Sequence, residues 1–175
     1  SFADVDDLGH VTEHDYTDEH LDAVMALEAV DVQAIKDAHF KVVLDAINSV
    51  GGIIMPRLLE RLGVECVKLN CDPTGDFAHN PEPLKENLSE IRNLLRKGRH
   101  DIGFVVDPDV DRLALICEDG SMFGEENTLV AVADYVLQHT PGNTVSNLSS
   151  TRGLRDVTEK YGCNYTPAAV GEVNV

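Results

Sequence analysis

From Lys41 onward the apolar positions fall into a rhythm. "KVVLDA" (41–46) is a short apolar run of strand type, and "INSVGG" is a turn. "IIMPRLLERLG" (53–63) reads as a helix stopped by Gly63, with Pro56 expected in its first turn. "VECVKL" (64–69) is a strand, and 70–83 is a long loop with three prolines. "LKENLSEIRNLLRKG" (84–98) carries Leu84, Leu88, Ile91, Leu94 and Leu95 at helical spacing. "DIGFVV" (101–106) is the next strand. "RLALICEDGSMFG" reads as a strand, an Asp119–Gly120 turn and a short return strand. A helix over 125–140, a strand over 144–148 and a helix over 150–162 follow. Upstream, residues 1–17 are acidic and without period. A helix led by Asp18 is expected over 18–40, with Leu21, Val24, Met25 and Leu27 on one face.

Strands alternating with helices predict a mainly parallel sheet with helices on its faces. The hairpin at 112–124 makes that sheet mixed. The expected fold class is α/β, a three-layer α/β/α sandwich with the opening of a second similar domain. The expected divisions are a lead-in over 1–39, the main domain over 40–138 and a further domain starting at 139–175. That last stretch is expected to open a βαβ unit too short to complete, the sign of a truncated chain.

Composition narrows the partners. Hydrophobic residues make up 43% of the 175, which is enough for a core. Asp and Glu number 31 against 14 Lys and Arg, a net charge of −17. Long-range repulsion then argues against nucleic acid and against anionic membrane surfaces. No apolar run approaches the ~20 residues that span a bilayer, and the start "SFADVDDLGH" has no signal-peptide pattern. Cys66, Cys71, Cys117 and Cys163 form no C-x-x-C pair, and buried thiols in a reducing cytoplasm are expected.

The chemistry concentrates in "DPDVDR" (107–112), directly after a strand. Ligands in parallel α/β sheets sit beyond the carboxyl ends of strands. Asp107, Asp109 and Asp111 crowd three negative charges into five residues, an arrangement that needs a cation because neighbouring carboxylates repel. Oxygen-only ligation favours Mg²⁺, Mn²⁺ or Ca²⁺ over zinc. Glu118 falls at the twelfth position of a calcium-loop count from Asp107, but Arg112 occupies the sixth, where that loop needs Gly, and the flanks read as strands. Arg112 either neutralises the acids or directs its guanidinium at a phosphate held near the metal.

Five stretches resemble the alpha-D-phosphohexomutase family, the phosphoglucomutases and phosphomannomutases: "VVLDAINSVGG" (42–52), "FAHNPEP" (77–83), "DIGFVVDPDVDRLALICEDG" (101–120), "NLSSTRGLRD" (147–156) and "AAVGEVNV" (168–175). The resemblance implies four α/β domains around one cleft, the second of them corresponding to residues 40–138. It implies that Asp107, Asp109 and Asp111 hold Mg²⁺ and that Arg112 lies by the reacting phosphate. The implied reaction interconverts hexose 1-phosphate and hexose 6-phosphate, glucose, mannose or glucosamine, through a phosphoserine and a bisphosphorylated sugar. The family's serine sits in a T-x-S-H-N-P loop. Here "AHNP" (78–81) carries Ala78 at that place and matches a second-domain segment instead, so His79 is expected to be structural. Thr151, Arg152 and Glu172 are implied substrate contacts. Many relatives have a histidine where Glu172 stands, and helix capping competes as the reading of Ser150 and Thr151. Two rivals stand beside this reading: a non-catalytic divalent-metal-binding α/β module, and an aspartyl-phosphate domain, which Arg112 and the hairpin do not suit.

Overall fold

A computed structural model describes residues 2–175, and at Val5 and Glu172 the backbone alone. The chain divides into two units, Ser1–Asp31 and Val32–Val175. The first contains a 3-10 turn, Val5–Asp7, and helix α1, Thr17–Met25. The Asp15 carboxylate accepts the Thr17 N–H at 2.9 Å, so Asp15 holds the start of α1, and Asp18, the expected cap, lies within its first turn. The single helix expected over 18–40 is two. After α1 the Leu27 and Val30 N–H groups close successive turns onto Val24 and Leu27. Helix α2, Val32–Ala38, then starts afresh after Asp31, a residue type that favours the position just before a helix.

In the second unit, strands β1 (Lys41–Asp45), β2 (Glu65–Leu69), β3 (Ile102–Val106) and β4 (Leu113–Cys117) form one sheet in the order β2-β1-β3-β4. β1 is parallel to β2 and to β3, and β4 runs antiparallel to β3. The alternation along β1 builds two cores. Val43 points with Val105, Ala114 and Ile116 toward Leu88, Ile91 and Leu95. Val42 and Leu44 point the other way, toward Leu59, Val64 and the half-buried Ile35 and Met55. One face is covered by helix α4 (Ser89–Lys97), and the other by α2 and helix α3 (Gly51–Arg61). The result is the expected three-layer sandwich with a mixed sheet.

Local departures have local causes. α3 begins at Gly51, two residues early, and Pro56 is therefore its sixth residue and not in the first turn. Glycine is required there: a Cβ on Gly52 would collide with the Cys71 carbonyl, and one on Gly51 would lie 2.6 Å from Val106 Cγ2. α4 begins at Ser89, not Leu84, because Asn87 turns its side-chain amide onto the Glu82 carbonyl at 2.7 Å and competes with helical bonding. The return strand after Gly120 is reduced to one bridge, Ile116 to Met122. Helix α5 (Glu125–His139) follows. Then β5 (Thr144–Asn147), helix α6 (Gly153–Lys160) and β6 (Tyr165–Ala168) complete a parallel βαβ unit, where an unfinished one was expected. Pro167 fits β6 because a strand of a two-stranded sheet keeps one unpaired edge.

Candidate metal centre

The strand order reverses around β1: the chain leaves it for β2 on one side and returns to β3 on the other. The crevice at the carboxyl ends of β1 and β3 is the usual ligand position in such a sheet. Two buried acids stand there, Asp45 at the end of β1 and Asp107 just past β3, 1% and 2% exposed. Asp109 and Asp111 are exposed beside Asp107, and one carboxylate oxygen from each of the three lies within 4.8 Å of the others.

The loop that brings them together is held by its own backbone and by Arg112. Val110 adopts φ +63°, uncommon for a β-branched residue, and its N–H donates to the Asp107 carbonyl at 3.2 Å. Asp107 Oδ1 accepts the Arg112 backbone N–H at 3.0 Å and Oδ2 accepts Arg112 Nε–H at 2.9 Å. Arg112 also donates through Nη1 to Glu82 at 2.8 Å and approaches Asp111 at 3.7 Å. Burial alone would raise the Asp107 pKa, but the Arg112 N–H, its guanidinium and a hydrogen bond with Asp111 hold it below the ordinary carboxylate value. Asp111 is raised, first by that shared hydrogen bond and then by the charge on Asp109. Arg112 is driven still more firmly into its charged form, first by Asp107 and then by Glu82.

The donor set fits a hard divalent cation. It offers oxygen alone, and two metal–oxygen bonds of ~2.0–2.6 Å span a separation close to the one between these carboxylates. Asp107 keeps acceptor capacity, since its two oxygens carry four lone pairs and the two Arg112 N–H groups take only two of them. A cavity of about 380 Å³ adjoins the loop, lined by Asp111, Arg112, Pro83, Glu125 and Thr128 among others.

Residues 18–120 match the family described as phosphoglucomutase/phosphomannomutase, alpha/beta/alpha domain II. The chain belongs to this phosphohexomutase family. A phosphoglucomutase/phosphomannomutase of Thermococcus kodakarensis is 32% identical over 171 residues, 97% of this chain and 37% of that protein. A phosphoglucomutase of Neisseria meningitidis is 33% identical over 165 residues, 92% of this chain and 34% of the relative. Among solved structures, a phosphoglucomutase/phosphomannomutase family protein from Burkholderia thailandensis superposes with a TM-score of 0.74 at 30% identity, covering 90% of this chain and 34% of its own. The chain thus spans about a third of the length of these phosphohexomutases.

Against that family frame, Asp107, Asp109, Asp111 and Arg112 share one loop, as the motif suggested, whereas Thr151 and Arg152 line a second cavity of about 470 Å³ with Ser150, Arg155 and Tyr165. The Thr151 hydroxyl accepts the Gly153 N–H at 3.3 Å at the start of α6, a capping contact, and its own N–H donates to Glu126 at 2.7 Å. Arg152 is exposed. Glu172 opens a 3-10 turn, and its side chain lies outside the described residues. Among the described residues no helix is long and apolar enough to cross a membrane.

Sequence reasoning missed Asp45 and Glu82. Asp45 closes an apolar strand with a charge, and that alone was a signal at the carboxyl edge of a parallel sheet. His79, expected to be structural, donates its Nδ1–H to the Asn80 carbonyl at 2.8 Å, and its Nε2 lies 3.1 Å from Asp45 Oδ2. Ile47 and Asn48 follow Asp45 at φ +49° and +57°, which for a β-branched Ile costs on the order of 1–3 kcal/mol and persists only where the surroundings over-determine it.

Proposed function

We propose that this chain supplies the metal-binding segment of an enzyme that interconverts hexose 1-phosphate and hexose 6-phosphate through a phosphoserine and a bisphosphorylated sugar. In this reading residues 1–39 lead in from one domain, 40–138 form the second domain, and 139–175 begin the third. Asp107, Asp109 and Asp111 hold Mg²⁺, with Asp107 as the fixed ligand and the two exposed acids closing on the ion. When bound, Mg²⁺ offsets negative charge on the phosphoryl group in transfer. Arg112 contacts the same phosphate: its Nε is tied to Asp107 and its Nη1 to Glu82, and the side chain is half exposed beside the cavity. Thr151, Arg152 and Glu172 contact the sugar phosphate, a hexose phosphate such as glucose or mannose phosphate. The nucleophilic serine comes from outside these residues, and the enzyme works in the cytoplasm.

The observation that carries the reading is the buried Asp107 locked by Arg112 at the switch point, with two exposed carboxylates beside it. Calorimetric titration with Mn²⁺, competed by Mg²⁺, tests it on the chain as it stands. One ion per chain is expected, abolished by Asp107→Asn. Failure to bind at millimolar metal would refute the site. The chain alone is expected not to turn over glucose 1-phosphate, and measurable turnover would refute the assignment of the nucleophile elsewhere.

A further inference from the structure

We infer that His79, acting through Asp45 and Ser49, fixes the geometry of the aspartate loop and through it the affinity for a divalent cation; the affinity part rests on the metal reading above. Asp45 stands outside the carboxylate cluster, yet it is 1% exposed, and a buried carboxylate requires partners. It has three. Oδ1 accepts the Ile47 N–H at 3.0 Å, the Asn70 amide donates at 3.2 and 3.3 Å, and His79 Nε2 lies 3.1 Å from Oδ2. The His79 ring is fixed at its other end by the Asn80 carbonyl.

This network clamps the turn that leaves β1. The Asn48 N–H donates to the Asn70 carbonyl at 2.6 Å, which, with the Ile47 bond, holds two successive left-handed residues. The turn delivers Ser49, whose hydroxyl donates to the Pro108 carbonyl at 2.7 Å. Pro108 joins Asp107 to Asp109, so this bond sets the peptide between two of the three acids. Glu82, three residues after His79, meanwhile holds Arg112 on the loop's other side. The segment 77–83 therefore grips the aspartate loop twice, once through Arg112 and once through Asp45 and Ser49. A buried polar contact of this kind adds little net stability compared with apolar packing and instead selects one arrangement. Groups that orient metal ligands without touching the metal commonly change affinity by about 10–100-fold when removed.

The test uses the 175-residue chain, with Mn²⁺ alone as the probe, and amide hydrogen exchange over 107–112 in metal-free protein. His79→Ala and Ser49→Ala are each expected to raise the Mn²⁺ dissociation constant about 10-fold and to speed exchange in the loop. His79→Gln, which keeps a donor, and Ser49→Thr, which keeps the hydroxyl, are expected to recover most of both. The double alanine variant is expected to be no weaker than the worse single variant, because the two share one path. A folded His79→Ala protein with wild-type affinity and wild-type exchange overturns the inference. If wild-type chain binds no Mn²⁺, the metal reading fails, and loop exchange alone decides the positioning role: faster exchange supports it and unchanged exchange overturns it. If His79→Ala does not fold, the Ser49→Ala and Ser49→Thr pair carries the same decision.

Discussion

Gly51→Ala isolates the contact between helix α3 and the aspartate loop. A Cβ at this position would stand 2.6 Å from Val106 Cγ2 and 3.4 Å from Val110 Cγ2, with Ala46 Cβ also at 3.4 Å. Ordinary carbon contacts lie at about 3.5–4.0 Å, so Val106 must retreat by about 1 Å. It has little room, being 3% exposed, and a β-branched side chain has few rotamers to use. Overpacking of this kind costs about 1–3 kcal/mol, while replacing helical Gly by Ala returns up to about 1 kcal/mol. A net destabilisation of about 1–2 kcal/mol follows. With a urea slope of about 2 kcal/mol/M, the unfolding midpoint falls by about 0.5–1 M. Val106 immediately precedes Asp107 and Val110 lies within the loop, so Mn²⁺ affinity should fall in parallel. Adding Val106→Ala should restore part of the affinity while costing stability of its own, a non-additivity expected only of groups in contact. A Gly51→Ala protein as stable as wild type, with unchanged affinity, would refute the packing argument.

Other outcomes follow from the same geometry. Burial pushes the Cys71 thiol up to about 11; at pH 8 its thiolate population drops about 100-fold relative to a thiol near 9, higher nucleophilicity restores less than 10-fold, and iodoacetamide should label it about 10-fold more slowly than in urea-unfolded chain, read by mass spectrometry. Protons compete with the cation, and Asp111 is raised while Asp107 is lowered; Mn²⁺ affinity should therefore weaken on acidification, beginning at higher pH than an unperturbed aspartate would give, and an affinity flat from pH 7 to 4 would contradict it. The same shifts act oppositely on folding: the depressed Asp107 contributes stability fully present above its unfolded value of ~3.9 and lost as pH falls through its folded value, whereas the raised Asp111 opposes folding at neutral pH. Leu95→Ala, at 1% exposure, should cost about 2–5 kcal/mol, and Leu84→Ala, at 44% exposure, less than about 0.5 kcal/mol, both by urea titration.

The contrast between Leu95 and Leu84 shows how far periodicity reaches. Both fit one helical stripe, and the pattern cannot tell that Asn87 diverts the backbone before Ser89. The strands were legible because short apolar runs bounded by turn residues have few alternatives, and the aspartate loop because charge so dense has few uses. The break between α1 and α2 was not, since Leu27, Glu28 and Ala29 are good helix formers and no Gly or Pro marks the stop. β6 was hidden by Pro167. Long-range pairs were least visible: the bond from Ser49 to Pro108 crosses 59 residues and that from His79 to Asp45 crosses 34, separations over which no local pattern operates.

The strand order also bears on how the chain is made. β1 pairs with β2 early, but its other edge waits for β3, about 60 residues further along. At ~5–20 residues per second a ribosome takes roughly 3–12 s to supply them. During that interval one edge of β1 lacks its partner strand, and Ser49 lacks the Pro108 carbonyl that it bonds in the finished sheet. β4 then closes by a short hairpin within moments of β3. The carboxylate cluster is thus among the last features of this sheet to assemble, and a cation that binds it favours, by mass action, chains whose four-stranded sheet is already whole.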